Sequence, residues 1–195
     1  MNVAEEFLSE LGSDSADVLL LLKEATDTIN YYRKLLERFE LDKLTGLPGS
    51  NKYHDFIADI KNRAATAGII FFDVNDLKYY NDNKGHHAGN LLLQKAAESL
   101  MMVSGGNVHS YRLGGDEFVT VITNCKESDI DELMARWREG LDVLNSADDG
   151  IHCSVSAGAA FGAEGFDPDE LLKLADERMY INKTEMKAAR GQKPR

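Results

Sequence analysis

The chain has 195 residues, enough for one domain of ordinary size with an appendage. Its 43% hydrophobic and 28% charged residues suit a soluble globular protein, and a net charge of -11 argues against non-specific binding to a nucleic-acid backbone or an anionic membrane. A phosphate-bearing ligand must therefore be held by a metal or by a few placed lysines. Cys125 and Cys153 form no CxxC and have no metal-ligand spacing to His86, His87 or His109, so both are expected to be reduced, ordinary residues of a cytoplasmic protein. The start is acidic, and the apolar run 18–22 is too short for a signal core or a membrane span.

In chain order, residues 1–12 read as a short helix, with Phe7, Leu8 and Leu11 on one face. Ser13, Asp14 and Ser15 then offer an N-cap for a second helix reaching about Phe39. Val18, Leu22, Ala25, Ile29, Tyr32, Leu36 and Phe39 follow each other at alternating spacings of four and three, a three-heptad seam. Residues 1–41 are expected to form a helical stem that self-associates through residues 14–40; a helix packed on its own domain is the simpler alternative. The turn-rich segment 42–49 marks the boundary to the globular part. A helix over 51–65 follows, then a strand, a polar stretch 81–87 of flexible composition, and a helix over 88–102. Beyond a hairpin come a helix over 127–144 and a strand over 151–161. A last long helix opens at Asp167-Pro168 and carries Lys183 and Lys187 on one face. Residues 188–195 read as a basic, frayed tail. Helices and hairpin strands are intermixed, so the fold class expected is α/β in the α+β sense: a mainly antiparallel central sheet flanked by helices.

Two acidic stretches carry the chemistry. Arg112-Leu113-Gly114-Gly115-Asp116-Glu117-Phe118 reads as a β-hairpin, because Gly114 and Gly115 can take positive φ without a Cβ clash. A tip without side chains at Gly114 and Gly115 also lets a bulky anion approach the backbone. Adjacent carboxylates at Asp116 and Glu117 gain nothing from a strand unless positive charge lies nearby. A solvated acidic turn is the bland reading of that motif alone. The run Gly68–Phe72 ending in Asp73 changes the balance, since a carboxylate closing a buried strand beside an acidic hairpin makes a hard-oxygen site suited to Mg²⁺.

Four ordered motifs then resemble the GGDEF domain, the diguanylate cyclase family of bacterial signalling. They are Asp42-Lys43-Leu44-Thr45-Gly46-Leu47, Phe72 to Asp82, Gly85-His86-His87-Ala88-Gly89-Asn90, and the hairpin itself; Ala175 to Tyr180 with Lys183 matches the closing helix. The resemblance covers about residues 42–187 and implies a palm-like, nucleotide-cyclase-like sheet. It also implies condensation of two GTP into cyclic di-GMP with release of two pyrophosphates, by two domains acting as a dimer. It further implies a Mg²⁺ cofactor, with Mn²⁺ able to replace it, held by Asp73, the backbone carbonyl of Val74, and Glu117. Asp116 would serve the attacking 3′-hydroxyl, as proton acceptor or as ligand of a second metal. Lys78 would offset charge developing on the phosphates, and Lys183 and Lys187 would grip the β and γ phosphates. Read alone, the last two lysines are a solvated helix face near a C-terminus.

Asn81, His86 and Asn90 fall where the family places its base pocket. Asn90 departs from the usual aspartate, and an amide cannot accept from both guanine N1-H and the N2 amino group as a carboxylate does. The alternatives are GTP use with water-assisted readout, which is favoured, or relaxed selectivity giving another cyclic dinucleotide. Gly105-Gly106-Asn107-Val108 stands where the family has its RxxD product-inhibition motif, so that inhibition is expected to be absent. Pro48 to Lys52 replaces the usual Asn-Arg, a departure affecting local loop packing. A non-catalytic nucleotide-binding or interaction module on the same fold is the competing function.

Overall fold

The structure, a computed structural model, describes residues 15–147 and 150–191. The helix expected over 1–12, and Ser13 and Asp14 of the expected N-cap, lie outside the described residues. The chain divides between Glu40 and Leu41 into two units. In the first, helix α1 (Ser15–Phe39) runs 25 residues, about 37 Å of helix. Leu22, Ala25, Ile29 and Tyr32 of the expected seam are exposed, as are Leu19, Leu20 and Tyr31, while Val18 is half-buried. The side chains of Leu36 and Phe39 lie outside the described ones. Among the described residues no helix is long and apolar enough to cross a membrane.

The second unit runs α2 (Ser50–Arg63), β1 (Ala67–Val74), α3 (Leu77–Lys84), α4 (His86–Met101), β2 (Val108–Gly114), β3 (Glu117–Thr123), α5 (Glu127–Asn145), β4 (Val155–Gly162) and α6 (Pro168–Ala189). Its four strands form one antiparallel sheet in the order β2-β3-β1-β4, flanked by helices. Every residue of β1 is buried, because the strand is central and both its faces are covered. The two-residue period of a strand then splits its side chains between two cores. Ile70, Phe72 and Val74 join Leu92 and Leu100 of α4 and Leu133 and Trp137 of α5. Ile69 and Phe71 join Tyr53 and Ile57 of α2 and Leu171, Ala175 and Met179 of α6. Asp73 is in step with Ile69 and Phe71 and so faces the α6 side. One strand therefore seals the fold and delivers a carboxylate.

Helix α6 comes unusually close to β4. A Cβ on Gly158 would lie 2.1 Å from the Met179 amide nitrogen and 2.3 Å from the Ala175 carbonyl oxygen, so only glycine admits the helix at this depth. Two α6 side chains also satisfy the outer edge of β4: the Ala157 amide donates to Asn182 Oδ1 at 3.1 Å, and Arg178 donates to the Ala159 carbonyl at 2.5 Å. Asp167 caps α6 by accepting from the Asp169 amide at 2.9 Å, with Pro168 following as expected. The apolar spacing of this helix predicts Leu171, Leu174, Ala175, Met179 and Tyr180 inward; Leu174 and Tyr180 are instead exposed.

Three further features depart from the sequence reading. The polar stretch 81–87 is not flexible loop: α3 covers its first part and α4 begins at His86. No residue of α3 is fully buried; Leu77 and Tyr80, one turn apart, pack half-buried on the core, and the Tyr80 hydroxyl donates to the His152 carbonyl at 3.2 Å. Strand β4 starts at Val155, because Cys153 pairs with the Asn145 side chain and not with a neighbouring strand. Helix α6 continues through Ala189 with Arg190 as its C-cap, so residues 188–190 are ordered where a frayed tail is expected. Cys125 and Cys153 are buried and free.

Replacing Gly158 with alanine is expected to destabilise the protein by about 1–3 kcal/mol, since the added methyl meets helix backbone and not a side chain that can swing away. Denaturant unfolding of the Gly158→Ala variant checks this.

Candidate active site

Antiparallel register sets Asp73 of β1 directly opposite Glu117 of β3, with Ser156 of β4 opposite Asp73 on its other side. The hairpin reaches this point through Gly114 (φ +153°) and Gly115 (φ +54°), with a bulge between Arg112 and Gly114. A Cβ at either glycine would meet only open space, so the backbone conformation is what calls for glycine at Gly115. Asp116 follows at the turn, and its carbonyl accepts from the Val74 amide at 2.9 Å, tying the hairpin to the end of β1.

Arg112 fixes the hairpin from beneath. It donates to the Gly115 carbonyl at 2.6 Å and to Asp42 Oδ1 at 2.8 Å, and its guanidinium lies 5.9 Å from the Phe118 ring centre. Burial acts to raise the Asp42 carboxyl, but hydrogen bonds from Thr45 and Arg112 outweigh it and hold its pKa below the usual carboxylate value. The Pro48 carbonyl accepts from the Arg112 amide at 2.9 Å, so the substituted loop packs against β2.

Lys183 of α6 donates to Asp73 Oδ1 at 2.6 Å, with the two side chains 23% and 11% exposed. Burial pushes the Asp73 carboxyl above its ordinary pKa, the Lys183 ammonium opposes that shift, and Asp116 adds to it. Glu117, although exposed on the hairpin, is pushed up in the same direction, by partial burial first and then by the charges of Asp116, Asp73 and Asp176. Opposed carboxylates of this kind form a site starved of positive charge.

Two cavities flank Lys183. The first, about 500 Å³, is lined by Val74, Asp76, Lys78, Asp116, Lys183 and Lys187 among others. The second, about 410 Å³, holds Asp73, Glu117, Asp176, Thr184 and again Lys183 and Lys187. Of the residues singled out from sequence, Asp73, Val74, Lys78, Asp116, Glu117, Lys183 and Lys187 thus converge. Gly114 and Gly115 lie at the exposed hairpin tip. Asn81, His86 and Asn90 line neither cavity and belong to the α3–α4 pair. Asn81 packs so tightly on Gly89 that a Cβ there would sit 2.1 Å from its Oδ1. His86 and Asn90 are exposed.

Sequence reasoning quoted Asp76, Asp82 and Asp176 within the matching motifs but gave them no role; all three line these cavities. It also quoted Asn75 without assigning it. That side chain is buried and bonded to Ser154 and Ser156, pinning the end of β1 to β4.

A divalent cation fits this donor set in chemistry. Asp73 and Glu117 are opposed hard-oxygen ligands whose charges repel, and the Lys183 ammonium already sits where positive charge is wanted. Among the described residues no three acidic, His or Cys groups converge closely enough to hold an ion as they stand, and Asp73 Oδ1 is paired with Lys183.

The family model described as diguanylate cyclase, GGDEF domain, matches residues 39–189, and the chain belongs to this family. Diguanylate cyclase DgcN of Escherichia coli (strain K12) is 29% identical over 188 residues, covering 91% of this chain and 46% of its own length. Cyclic di-GMP phosphodiesterase PdeR of the same organism is 29% identical over 196 residues, covering 93% of this chain and 28% of its own. The chain therefore spans less than half the length of either relative. The crystal structure of the coiled coil and GGDEF domain of DgcB from Caulobacter crescentus in complex with c-di-GMP aligns with a TM-score of 0.69 at 21% identity. That alignment covers 86% of this chain and 95% of the other. It supports the fold alone.

Glu117 supplies a pH test of the charge-starved site. A carboxyl whose folded pKa is raised contributes stability that is present below its unfolded pKa and lost as pH rises through the folded value. Glu117 is solvent-exposed, so in metal-free buffer Glu117→Gln is expected to raise the thermal midpoint at pH 7 only slightly relative to the parent. The gain should vanish on acidification below about pH 4, where Glu117 is protonated in both states. Thermal unfolding of both proteins across that range checks it.

Proposed function

We propose that the second unit is a diguanylate cyclase domain that condenses two GTP into cyclic di-GMP and releases two pyrophosphates. The observation that carries this reading is the convergence of Asp73, Asp116 and Glu117 with Lys78, Lys183 and Lys187 around the two cavities. In each half-reaction the 3′-oxygen of one GTP attacks the α-phosphorus of the other as the bond to pyrophosphate breaks. The 3′-hydroxyl proton passes to the Asp116 carboxylate. Asp73, Glu117 and the Val74 carbonyl would hold Mg²⁺, which supplies polarisation of the phosphate oxygens. Lys78 offsets charge that grows on the phosphates in the transition state. Lys183 and Lys187 bind the β and γ phosphates as point charges, without the bidentate grip an arginine would give. Cation entry and triphosphate binding are thereby linked, since each gives the opposite side of the Lys183–Asp73 pair a new partner.

One domain holds one GTP, so the reaction needs two chains. The stem supports this reading: Leu22, Ile29 and Tyr32 stand exposed along one helix, and an isolated helix of that kind is marginal in water until the seam is covered. Pairing through residues 14–40 raises the effective concentration of the second half-site.

Asn81, His86 and Asn90 form the proposed base-reading group on α3 and α4. GTP is the proposed substrate, with water completing the readout at Asn90. A second reading has specific support: the Asn90 amide complements the donor/acceptor edge of adenine, which would admit ATP or give a mixed product. A third, a binding module without activity, draws support from the likeness to a protein named as a phosphodiesterase.

Purified protein incubated with Mg²⁺ and GTP, ATP or both, with products resolved by chromatography, separates these readings. Cyclic di-GMP is expected from GTP, reduced about 10²-fold or more in Asp116→Ala. An adenine-containing product would transfer specificity to Asn90. GTP binding without product, in a covalently enforced dimer as well, would leave the binding module.

Product inhibition gives a separate check. The turn at Gly105–Val108 closes on itself through two backbone hydrogen bonds of 2.9 and 3.0 Å and carries no charged side chain. Initial rates are expected to be unchanged by added cyclic di-GMP at concentrations that do not compete with GTP.

A further inference from the structure

Asp76 stands in the wall of the larger cavity, two residues after Val74 and two before Lys78, and brings a negative charge to a place proposed for a triphosphate. It occupies the left-handed region, at φ 62° and ψ 15°, and precedes the first turn of α3. An N-cap aspartate of extended backbone turns its carboxylate onto the first amides of its helix. Asp76 makes no such cap. Its Oδ2 instead accepts from Arg190 Nη1 at 2.9 Å, while Arg190 Nη2 donates to Ser154 Oγ at 2.6 Å. Ser154 is itself tied to the same loop, since its carbonyl accepts from the Asn75 amide at 2.8 Å. Arg190 follows Lys187 by three residues on the helix that supplies both phosphate-facing lysines, and lies just beyond the residues matched by the family model.

We propose that Arg190 is a positioning residue for the triphosphate, which neutralises the Asp76 carboxylate and holds it toward Ser154, away from the cavity. The inference rests on the nucleotide-binding reading above. With Arg190 in place, an incoming polyanion meets Lys78, Lys183 and Lys187 with Asp76 already paired. Without it, Asp76 is an unpaired anion in the cavity wall. The two side chains are 37% and 36% exposed, so solvent and salt screen the pair and the effect is moderate.

Calorimetric titration of the full chain with GTP, and separately with inorganic pyrophosphate, at low ionic strength tests the proposal. Arg190→Ala is expected to weaken binding of both about three- to fivefold, with KM rising more than kcat falls. The double variant Arg190→Ala/Asp76→Asn, which still lacks the arginine, is expected to return to within about twofold of the parent, because the charge Arg190 offsets is gone. Asp76→Asn alone, which asparagine tolerates in the left-handed region, should bind GTP at least as tightly as the parent.

Unchanged binding in Arg190→Ala overturns the proposal. So does a loss that persists undiminished in the double variant, which would make Arg190 a structural cap of α6, or weaker binding in Asp76→Asn. Failure of the unaltered chain to bind GTP removes the nucleotide reading, and this inference with it.

Discussion

The structure turns on a carboxylate that the fold buries before anything is bound to it. Asp73 ends a strand that is covered on both faces, and register sets Glu117 directly across from it. Burial penalises the charged form of each group, and the charges penalise each other. The Lys183 ammonium on Asp73 is the compensation the chain itself provides. It reaches that position because Gly158 lets α6 lie almost on the backbone of β4. Fold packing and site electrostatics are therefore one problem in this protein, solved by one helix.

The hairpin is held by a different device. Arg112 spans Asp42, the Gly115 carbonyl and the Phe118 ring, and so joins the segment that opens the domain to the turn bearing Asp116. Its Nε is buried without a hydrogen-bond partner, a cost set against three contacts made by the same side chain. Asp42 matches it well, since Thr45 supplies both its amide and its hydroxyl to the same carboxylate oxygen. The carboxylates on the two sides of the hairpin thus differ in kind. Asp42 is fully paired and stays ionised easily, whereas Asp73 and Glu117 are held in want of positive charge.

Much of this was legible from residue patterns. The apolar run into Asp73, the two glycines before Asp116 and the capped start at Asp167-Pro168 each carry a local reason for their structure, and each is found where expected. The antiparallel sheet flanked by helices is found as expected, whereas the strand order β2-β3-β1-β4 has no counterpart in the residue pattern. What could not be read lacks a periodic or conformational signature. Helix α3 rests on the core through Leu77 and Tyr80 alone, too short an apolar pattern to set it apart from loop. Asp76 and Asp176 stand inside matching motifs, but their place in a cavity wall shows only in the fold. Arg190 looked like part of a basic tail, because its partner lies 114 residues away in sequence. Sequence spacing reports neighbours along the chain; it is silent on charges that meet only through the sheet.

The bonds from Asn182 and Arg178 to β4 bear on how such domains can associate. Edge strands with open amides and carbonyls are templates on which another sheet can grow. Along Ala157 and Ala159 that edge is already occupied by side chains of the chain's own helix. Association by β-augmentation there would require α6, and Lys183 with it, to let go. Any contact at this face is thereby steered toward side-chain surfaces. Such contacts form and dissolve without unzipping backbone ladders.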